Sequence, residues 1–401
     1  MSALEAAVQD VLLRDACSGC GLCTRLDPSI QMSLDTRGYL RPKFSGERRA
    51  VAGADRIFAR SCPGMIVSSP PLSPTARRDR MLGNYLGAWN AFSTDPEFRR
   101  AGSSGGVLTA LQAWLLSEGR VARITGAAAD SQNPRRTIAV TITTREQALS
   151  AAGSRYAPVA GLDNDDVLRP GSAVCGKPCE VSALRRAAPD VASGEEPLLL
   201  SFFCAGTPSQ HATSSLLREL GVSDDRPVAL LRYRGDGWPG RFRVRSGDID
   251  ASTDYDESWG RVLGPTTQWR CKICPDGVGE SADIVCADSW STDERGYPVF
   301  TEGEGVSALL ARTPRGLQAI QDAQAAGVIT LAALWLPQLA DAQPLQVSRR
   351  RHLFARLVGS RLAGRRPPRF RRFGLIRLTL RHPREAVRVA RGTFRRVRSG
   401  A

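Results

Sequence analysis

The sequence predicts an α/β protein: a mixed sheet core with flanking helices, preceded by a small cysteine-rich segment and followed by a basic helical tail. Three observations carry this. Twice in succession an apolar strand passes through a tight turn into a helix, over 172–187 and 197–220. That alternation builds a sheet with functional groups at strand C-termini. Ahead of it stands Cys17-Ser-Gly-Cys20-Gly-Leu-Cys23. Behind it, residues 345–401 hold 18 Arg against one acidic residue, Glu385, for a local charge of +17. The whole chain is +15, so residues 1–344 sum to −2, and the high isoelectric point belongs to the tail.

With 401 residues the chain has room for a sizeable core and for two domains with an extension. The boundaries read as a cluster-binding segment and linker at 1–80, a catalytic domain at 81–344 and the Arg-rich extension at 345–401. Residues 1–11 carry acidic side chains and no apolar stretch, so no signal peptide is expected. The longest apolar runs, such as Pro197–Phe203, have strand length and fall far short of a membrane span. The expected location is cytoplasmic, where ten cysteines serve better as metal ligands than as disulfides. There are only three lysines, Lys43, Lys177 and Lys272, against 52 arginines. Lys177 and Lys272 lie beside cysteines, where an ammonium would offset thiolate charge.

Taken in order, residues 1–14 have a helical stripe of Leu4, Val8, Val11 and Leu12. Next, Cys17, Cys20 and Cys23 are joined, across 38 intervening residues, by Cys62-Pro63. Three thiolates at that spacing wrap one corner of a cubane, glycines admit backbone N–H groups to its sulfides, and a remote Cys-Pro closes the cage. The same four cysteines would also make a zinc site, but the triple spacing suits a ferredoxin-like 4Fe–4S cluster better. Residues 65–80, rich in Pro, Ser and charge, read as a linker, and Gly83–Phe92 as a strand. Gly102-Ser103-Ser104-Gly105-Gly106 then opens a helix over Val107–Gly119. Such a turn offers N–H groups and a positive dipole end to the phosphate of a cofactor. Its spacing is neither the Walker nor the dinucleotide-fold fingerprint.

Strands are expected at Val121–Ala129 and Thr137–Thr143 and a helix at Arg145–Ala151, followed by the polar loop Ser154-Arg155-Tyr156. Arg155 and Tyr156 are of the types that hold phosphate or stack on a ring. Cys179 opens a helix, where a thiol ligates metal readily, and Cys204 ends the strand Pro197–Phe203. Val228–Arg234 and Arg241–Arg245 read as strands about a tight turn, Val306–Arg312 as a buried strand and Pro314–Gly327 as a helix. Between them Cys271-Lys-Ile-Cys274 sets two thiolates on one short loop. Two more thiolates are needed to close a site there, and soft ligands of this kind favour iron–sulfur or zinc.

Together these stretches resemble the coenzyme F420 hydrogenase/dehydrogenase beta-subunit family of flavin iron–sulfur proteins. The match runs in order through Gly-Ser-Ser-Gly-Gly-Val at 102–107, Gly-Ser-Arg-Tyr at 153–156, Gly-Lys-Pro-Cys-Glu at 176–180, Phe-Phe-Cys at 202–204 and Cys-Lys-Ile-Cys through Ala-Asp at 271–283. The resemblance implies a 4Fe–4S cluster on Cys179, Cys204, Cys271 and Cys274. It implies FAD around Ser103, Ser104, Gly105, Gly106, Ser154, Arg155 and Tyr156, with Lys177 in the cofactor-binding set. The Cys17/Cys20/Cys23/Cys62 segment is similar to a ferredoxin-like extension that many members carry. Cys175 and Cys286 match no ligand position and read as small buried apolar residues. Two departures stand out: Ala287-Asp288 where Gly-Asp is usual, and Arg155 where Lys is common.

The expected function is an FAD- and 4Fe–4S-dependent oxidoreductase that passes electrons between a one-electron partner such as ferredoxin and a two-electron substrate. Coenzyme F420 and a sugar- or lipid-linked intermediate of polysaccharide biosynthesis are the substrate classes the resemblance allows. No Ser/His/Asp triad is available, since His352 and His382 fall in the tail and His211 stands alone near a helix start. Asp283 and Asp288 are candidates to bond flavin or substrate, or else solvated loop residues. The alternative is a structural metal-binding protein whose basic tail meets a polyanion, a partner protein or the inner face of the membrane. Residues 383–397 set Val387, Ala390, Phe394 and Val397 on one face among arginines, as a basic amphipathic helix does. No nucleic-acid-binding motif appears, so nucleic acid is not expected.

Overall fold

The structure, a computed structural model describing residues 2–47, 49–191, 196–290, 293, 299 and 301–399, is organised by one eight-stranded mixed sheet. From edge to edge its strands are Ile329–Ala333, Gly87–Ser93, Ser307–Ala311, Ile284–Asp288, Leu198–Phe202, Ser172–Gly176, Arg123–Ala129 and Thr137–Ile142. The four strands Arg123–Ala129, Ser172–Gly176, Leu198–Phe202 and Ile284–Asp288 run parallel, and antiparallel strands extend the sheet on both sides.

The inner strands are near-continuously apolar because both faces are covered. On one face Ala173, Leu200, Ile284 and Leu309 pack under the helices Val107–Ser117 and Pro314–Ala325. On the other, Val174, Leu199 and Val285 meet Val181 and Leu184 of the helix Pro178–Val191. That helix is in turn roofed by the N-terminal segment, whose Leu4, Val8, Leu22, Leu26, Ile57 and Phe58 share its core. A second sheet, Leu230–Arg232, Phe242–Ser246 and Ile249–Thr253, carries its own core around Tyr233, Phe242 and Trp259.

The mixed α/β fold is therefore as expected, with two differences in detail. Residues 65–80 do not act as a linker. Ile66–Ser68 pairs in parallel with Arg369–Arg371 of the tail, Arg77–Asp79 pairs with Gly83–Tyr85, and the fully buried Ser69 donates to Glu280 Oε2 at 2.6 Å. Two of the partners that order this stretch, Glu280 and Arg369–Arg371, lie more than 200 residues away, so its local composition could not reveal them. The Arg-rich extension, likewise, is built into the body. Its helix Pro344–Leu362 buries Arg350 against Glu280 and the Met81 carbonyl. The helix Pro383–Arg398 lies across it at Gly359, where an added Cβ would come within 2.2 Å of the Ala390 carbonyl oxygen. Thr393 is buried in that contact while Val387 stays exposed, so the helix packs by its small residues. Among the described residues no helix is long and apolar enough to cross a membrane.

Candidate functional site: two cysteine quartets beside one cavity

All ten cysteines are free thiols. The first quartet is folded locally. Gly19 and Gly21 both take positive φ, and a Cβ at Gly21 would strike the Asp163 backbone at 2.7 Å. These turns bring Cys17, Cys20 and Cys23 to one small cavity, and the Gly19 N–H points to Cys17 Sγ at 3.4 Å. Cys62 arrives as the cap of the helix Ala54–Ser61. A small cavity is lined by all four cysteines together with Val8, Val11, Met32 and Phe58. Burial pushes Cys20 up to about 11 and drives Cys23 and Cys62 higher, each reinforced by the neighbouring cysteines. Such thiols stay protonated unless a cation takes them as thiolates.

The second quartet is gathered from three strand ends. Cys179 begins the helix that follows the strand Ser172–Gly176, Cys204 follows Leu198–Phe202, and Cys271, on the short helix Trp269–Lys272, and Cys274, just after it, precede Ile284–Asp288. The Cys204 N–H bonds to the Gly277 carbonyl at 2.8 Å, and the Thr207 N–H points to Cys271 Sγ at 3.4 Å. Burial raises Cys204 to about 12, with Cys271 and Cys274 adding to the effect. Cys179 is raised well above its ordinary value, first by burial, with both Cys204 of its own quartet and Cys20 of the other among its neighbours. The two quartets are thus adjacent. Arg270, 2 % exposed, stands between them: its Nε donates to the Pro63 carbonyl at 3.2 Å, and its charge faces Cys274, Cys179 and Cys271. Among the described residues, no three His, Cys, Asp or Glu side chains close on a single ion.

A cavity of about 1120 Å³ opens at the C-terminal ends of the parallel strands. Ser103, Ser104, Gly106, Ser154, Arg155, Tyr156, Lys177 and Cys204 all line it. Gly105 lies just behind, its N–H bonded to Ser307 Oγ at 3.0 Å, where a Cβ would meet the Ala91 carbonyl at 2.6 Å. Gly106, at φ +71°, caps the helix Val107–Ser117 and turns its N-terminus toward the cavity. Ser103 Oγ accepts from the Ser154 N–H and ties the two loops together. Arg155 is already committed, donating to Thr137 Oγ1 at 2.8 Å and to the carbonyls of Leu231, Pro134 and Arg136, so it shapes the wall more than it offers a free cation. Lys177 is also spoken for, by Glu180 Oε1 at 2.7 Å and the Val159 carbonyl at 2.6 Å.

Residues 88–164 match the N-terminal model, and residues 171–335 the C-terminal model, of the coenzyme F420 hydrogenase/dehydrogenase beta subunit. Together they take in more than half of the chain. The chain belongs to this family. It is 26% identical over 261 residues to the coenzyme F420 hydrogenase subunit beta of Methanothermobacter thermautotrophicus, covering 62% of this chain and 84% of that one. The Methanococcus voltae subunit is 27% identical over 257 residues, with the same coverage. A chain of the F420-reducing NiFe hydrogenase complex from Methanosarcina barkeri has the same fold, with a TM-score of 0.54, 21% identity, and coverage of 73% of this chain and 98% of that one.

Several site residues were not singled out from sequence. Arg234, 1 % exposed, pairs with Asp288 Oδ2 at 2.7 Å and donates to the carbonyls of Pro239 and Ser103. It is stacked among Trp238, Tyr255 and Trp290 with its guanidinium 5.0–5.3 Å from their ring centres. Tyr156 packs on Trp259 at 4.8 Å. The only sequence signal for this box was an arginine at the head of a Gly-Asp-Gly turn rich in aromatic neighbours. Asp288 faces the cavity as one of its two readings held, but Asp283 does not reach it. Asp283 is fully buried by Arg185, Arg315, Thr313 and the Leu199 N–H, a structural tie rather than a flavin or substrate contact or a solvated loop end. His211 bonds to the Thr36 carbonyl on the surface, outside the cavity lining. Cys175 and Cys286 sit within sheet strands on the cavity wall.

Proposed function

We propose that this chain is an FAD- and 4Fe–4S-dependent oxidoreductase, with one cluster on Cys17, Cys20, Cys23 and Cys62, a second on Cys179, Cys204, Cys271 and Cys274, and FAD in the adjoining cavity. The observation that supports the reading is two neighbouring groups of cysteines, one lining a small cavity of its own and the other opening at Cys204 onto the large one. The donor set fits. All eight ligands are soft sulfurs, and the second quartet is partnered by a buried guanidinium suited to offset thiolate charge. Flavin supplies two-electron chemistry and the clusters supply one-electron transfer, so together they join the two regimes.

The residues of this chain then have separable tasks. The N–H groups of Ser103, Ser104 and Gly106 and the helix behind them hold a diphosphate, while those of Gly102 and Gly105 fix the turn. Tyr156, Trp259 and the Arg234–Asp288 pair form a rigid wall that orients a ring and keeps water from it. The substrate is a two-electron carrier, coenzyme F420 being favoured by kinship and a polysaccharide-biosynthesis intermediate being the second candidate. The electron partner is a protein such as ferredoxin. Anaerobic purification followed by iron, sulfide, zinc and flavin analysis tests the whole reading. About eight iron and one FAD per chain are expected, with absorption that bleaches on dithionite. Zinc without flavin would overturn it.

A further inference from the structure

We infer that the C-terminal helices add an anion site to the cavity wall, formed by Lys272, Arg356, Arg396 and Thr393, which takes an oxyanion, phosphoryl or carboxylate, of a small-molecule substrate. The inference rests on reading the cavity as a substrate site. All four residues line it. The close approach at Gly359 brings the helix Pro383–Arg398 down onto the helix Pro344–Leu362, and Arg356 Nη1 donates to the Lys272 carbonyl at 2.5 Å. Burial and the charges of Arg349 and Arg396 lower Arg356 to about 10, which leaves it a cation at neutral pH.

Among the described residues no carboxylate pairs with Lys272, Arg356 or Arg396. Asp15, which acts on Lys272 from the N-terminal segment, is already engaged by Arg37, Arg41 and Arg365. The second quartet is faced chiefly by other cations, Arg270, Lys177 and Arg349, although Lys272 also acts on its Cys271. A second observation points to a ligand. Thr393 is 1 % exposed, lines the cavity, and its Oγ1 has no hydrogen-bond partner. A buried hydroxyl without a partner costs stability, and beside three cations it supplies the neutral donor that an oxyanion uses. Except for Lys272, the site lies beyond residue 335, where the family match ends.

The test is calorimetric titration of the full-length protein, isolated with its cofactors, using inorganic pyrophosphate as the phosphoryl probe and citrate as the carboxylate probe. Arg356→Gln and Arg396→Gln should each weaken the preferred probe on the order of tenfold. Thr393→Val should weaken it severalfold while the melting temperature holds or rises, because a methyl replaces an unbonded hydroxyl. A gain in stability with unchanged affinity would sink the role of Thr393 and with it the site. Pyrophosphate binding that ignores all three changes would place the anion elsewhere, such as at the 102–106 turn, and overturn the inference. So would binding of a DNA duplex or an acidic protein with no binding of either small probe. Iron and flavin contents are measured on the same samples, so a failed redox reading is told apart from a failed anion site.

Discussion

The N-terminal quartet is drawn from one stretch between Cys17 and Cys62, set by two left-handed glycines, and walled by apolar side chains. The second quartet is drawn from Cys179 through Cys274, is placed by the ends of sheet strands, and has Arg270, Lys177 and Arg349 around it. One is therefore an insulated centre held by local turns. The other is a charged centre held by tertiary structure and open to the cavity. Charge and exposure set the potential of a cluster, so the two centres should differ in both function and fragility.

Breaking each quartet separately gives the largest expected effect. Cys20→Ala and Cys271→Ala should each reduce iron from about eight to about four per chain. Cys20→Ala should leave flavin bound and reducible by a two-electron donor but slow its exchange with a one-electron protein by at least about a hundredfold. Cys271→Ala should abolish both, since its centre adjoins the cavity. If the two variants prove indistinguishable in flavin reduction, the proposed division between the centres is wrong. Next in size is the wall of the cavity. Arg234→Met leaves Asp288 without its partner and removes the bonds to Ser103 and Pro239. Breaking a buried pair of this kind costs about 3–5 kcal/mol, read by denaturant unfolding, and flavin should be lost with it.

The two regions also differ in how far sequence alone could describe them. The first quartet was legible because its spacing is local, as was the sheet core, whose strand–turn–helix repeats announce themselves in Ser172–Ala187. The partners of Cys271 and Cys274 came from family resemblance, because no local rule joins Cys179 and Cys204 to a loop near residue 271. Arg234–Asp288 and Arg350–Glu280 were illegible for the same reason: each is an ordinary surface residue type until a distant carboxylate is folded against it. The tail misled most, since its charge reads as a solvated or surface-seeking face. In fact Gly359, Thr393 and the pairing of Arg369–Arg371 with Ile66–Ser68 seat it on the body.

A smaller effect separates structural carboxylates from those of the site. Burial alone would raise Asp283, but the bonds from Arg315 and Thr313 and the charges of Arg185 and Arg315 outweigh it and hold its carboxyl below the usual value. A carboxyl depressed in the folded state contributes stability above about pH 4, its unfolded value, and loses it as pH falls through the lower folded value. Asp283→Asn should therefore destabilise the protein by about 2 kcal/mol at pH 7, with the gap from the native protein closing in acid. A gap that is constant from pH 7 to pH 3 would show that the carboxylate's charge is not what holds the Arg185 and Arg315 segments.

The finest distinction between the two centres turns on Arg270, which bonds to Pro63 beside Cys62 and faces three cysteines of the other quartet. A buried cation favours the more negative, reduced state of a cluster, so its removal lowers the midpoint potential. At an effective dielectric near 20, one charge within a nanometre of a centre is worth about 2–4 kcal/mol. Allowing for relaxation, Arg270→Gln should lower the second cluster's potential by on the order of 50 mV. Arg270→Lys, which keeps the charge and loses the planar fork, should recover most of it. The first cluster, where Arg270 acts on Cys17 alone and less than Arg41 does, should move less. Electron paramagnetic resonance during a redox titration resolves the two signals. Equal shifts in both would mean that Arg270 serves the pair as a common counterion and that the charged and insulated centres are not electrostatically distinct.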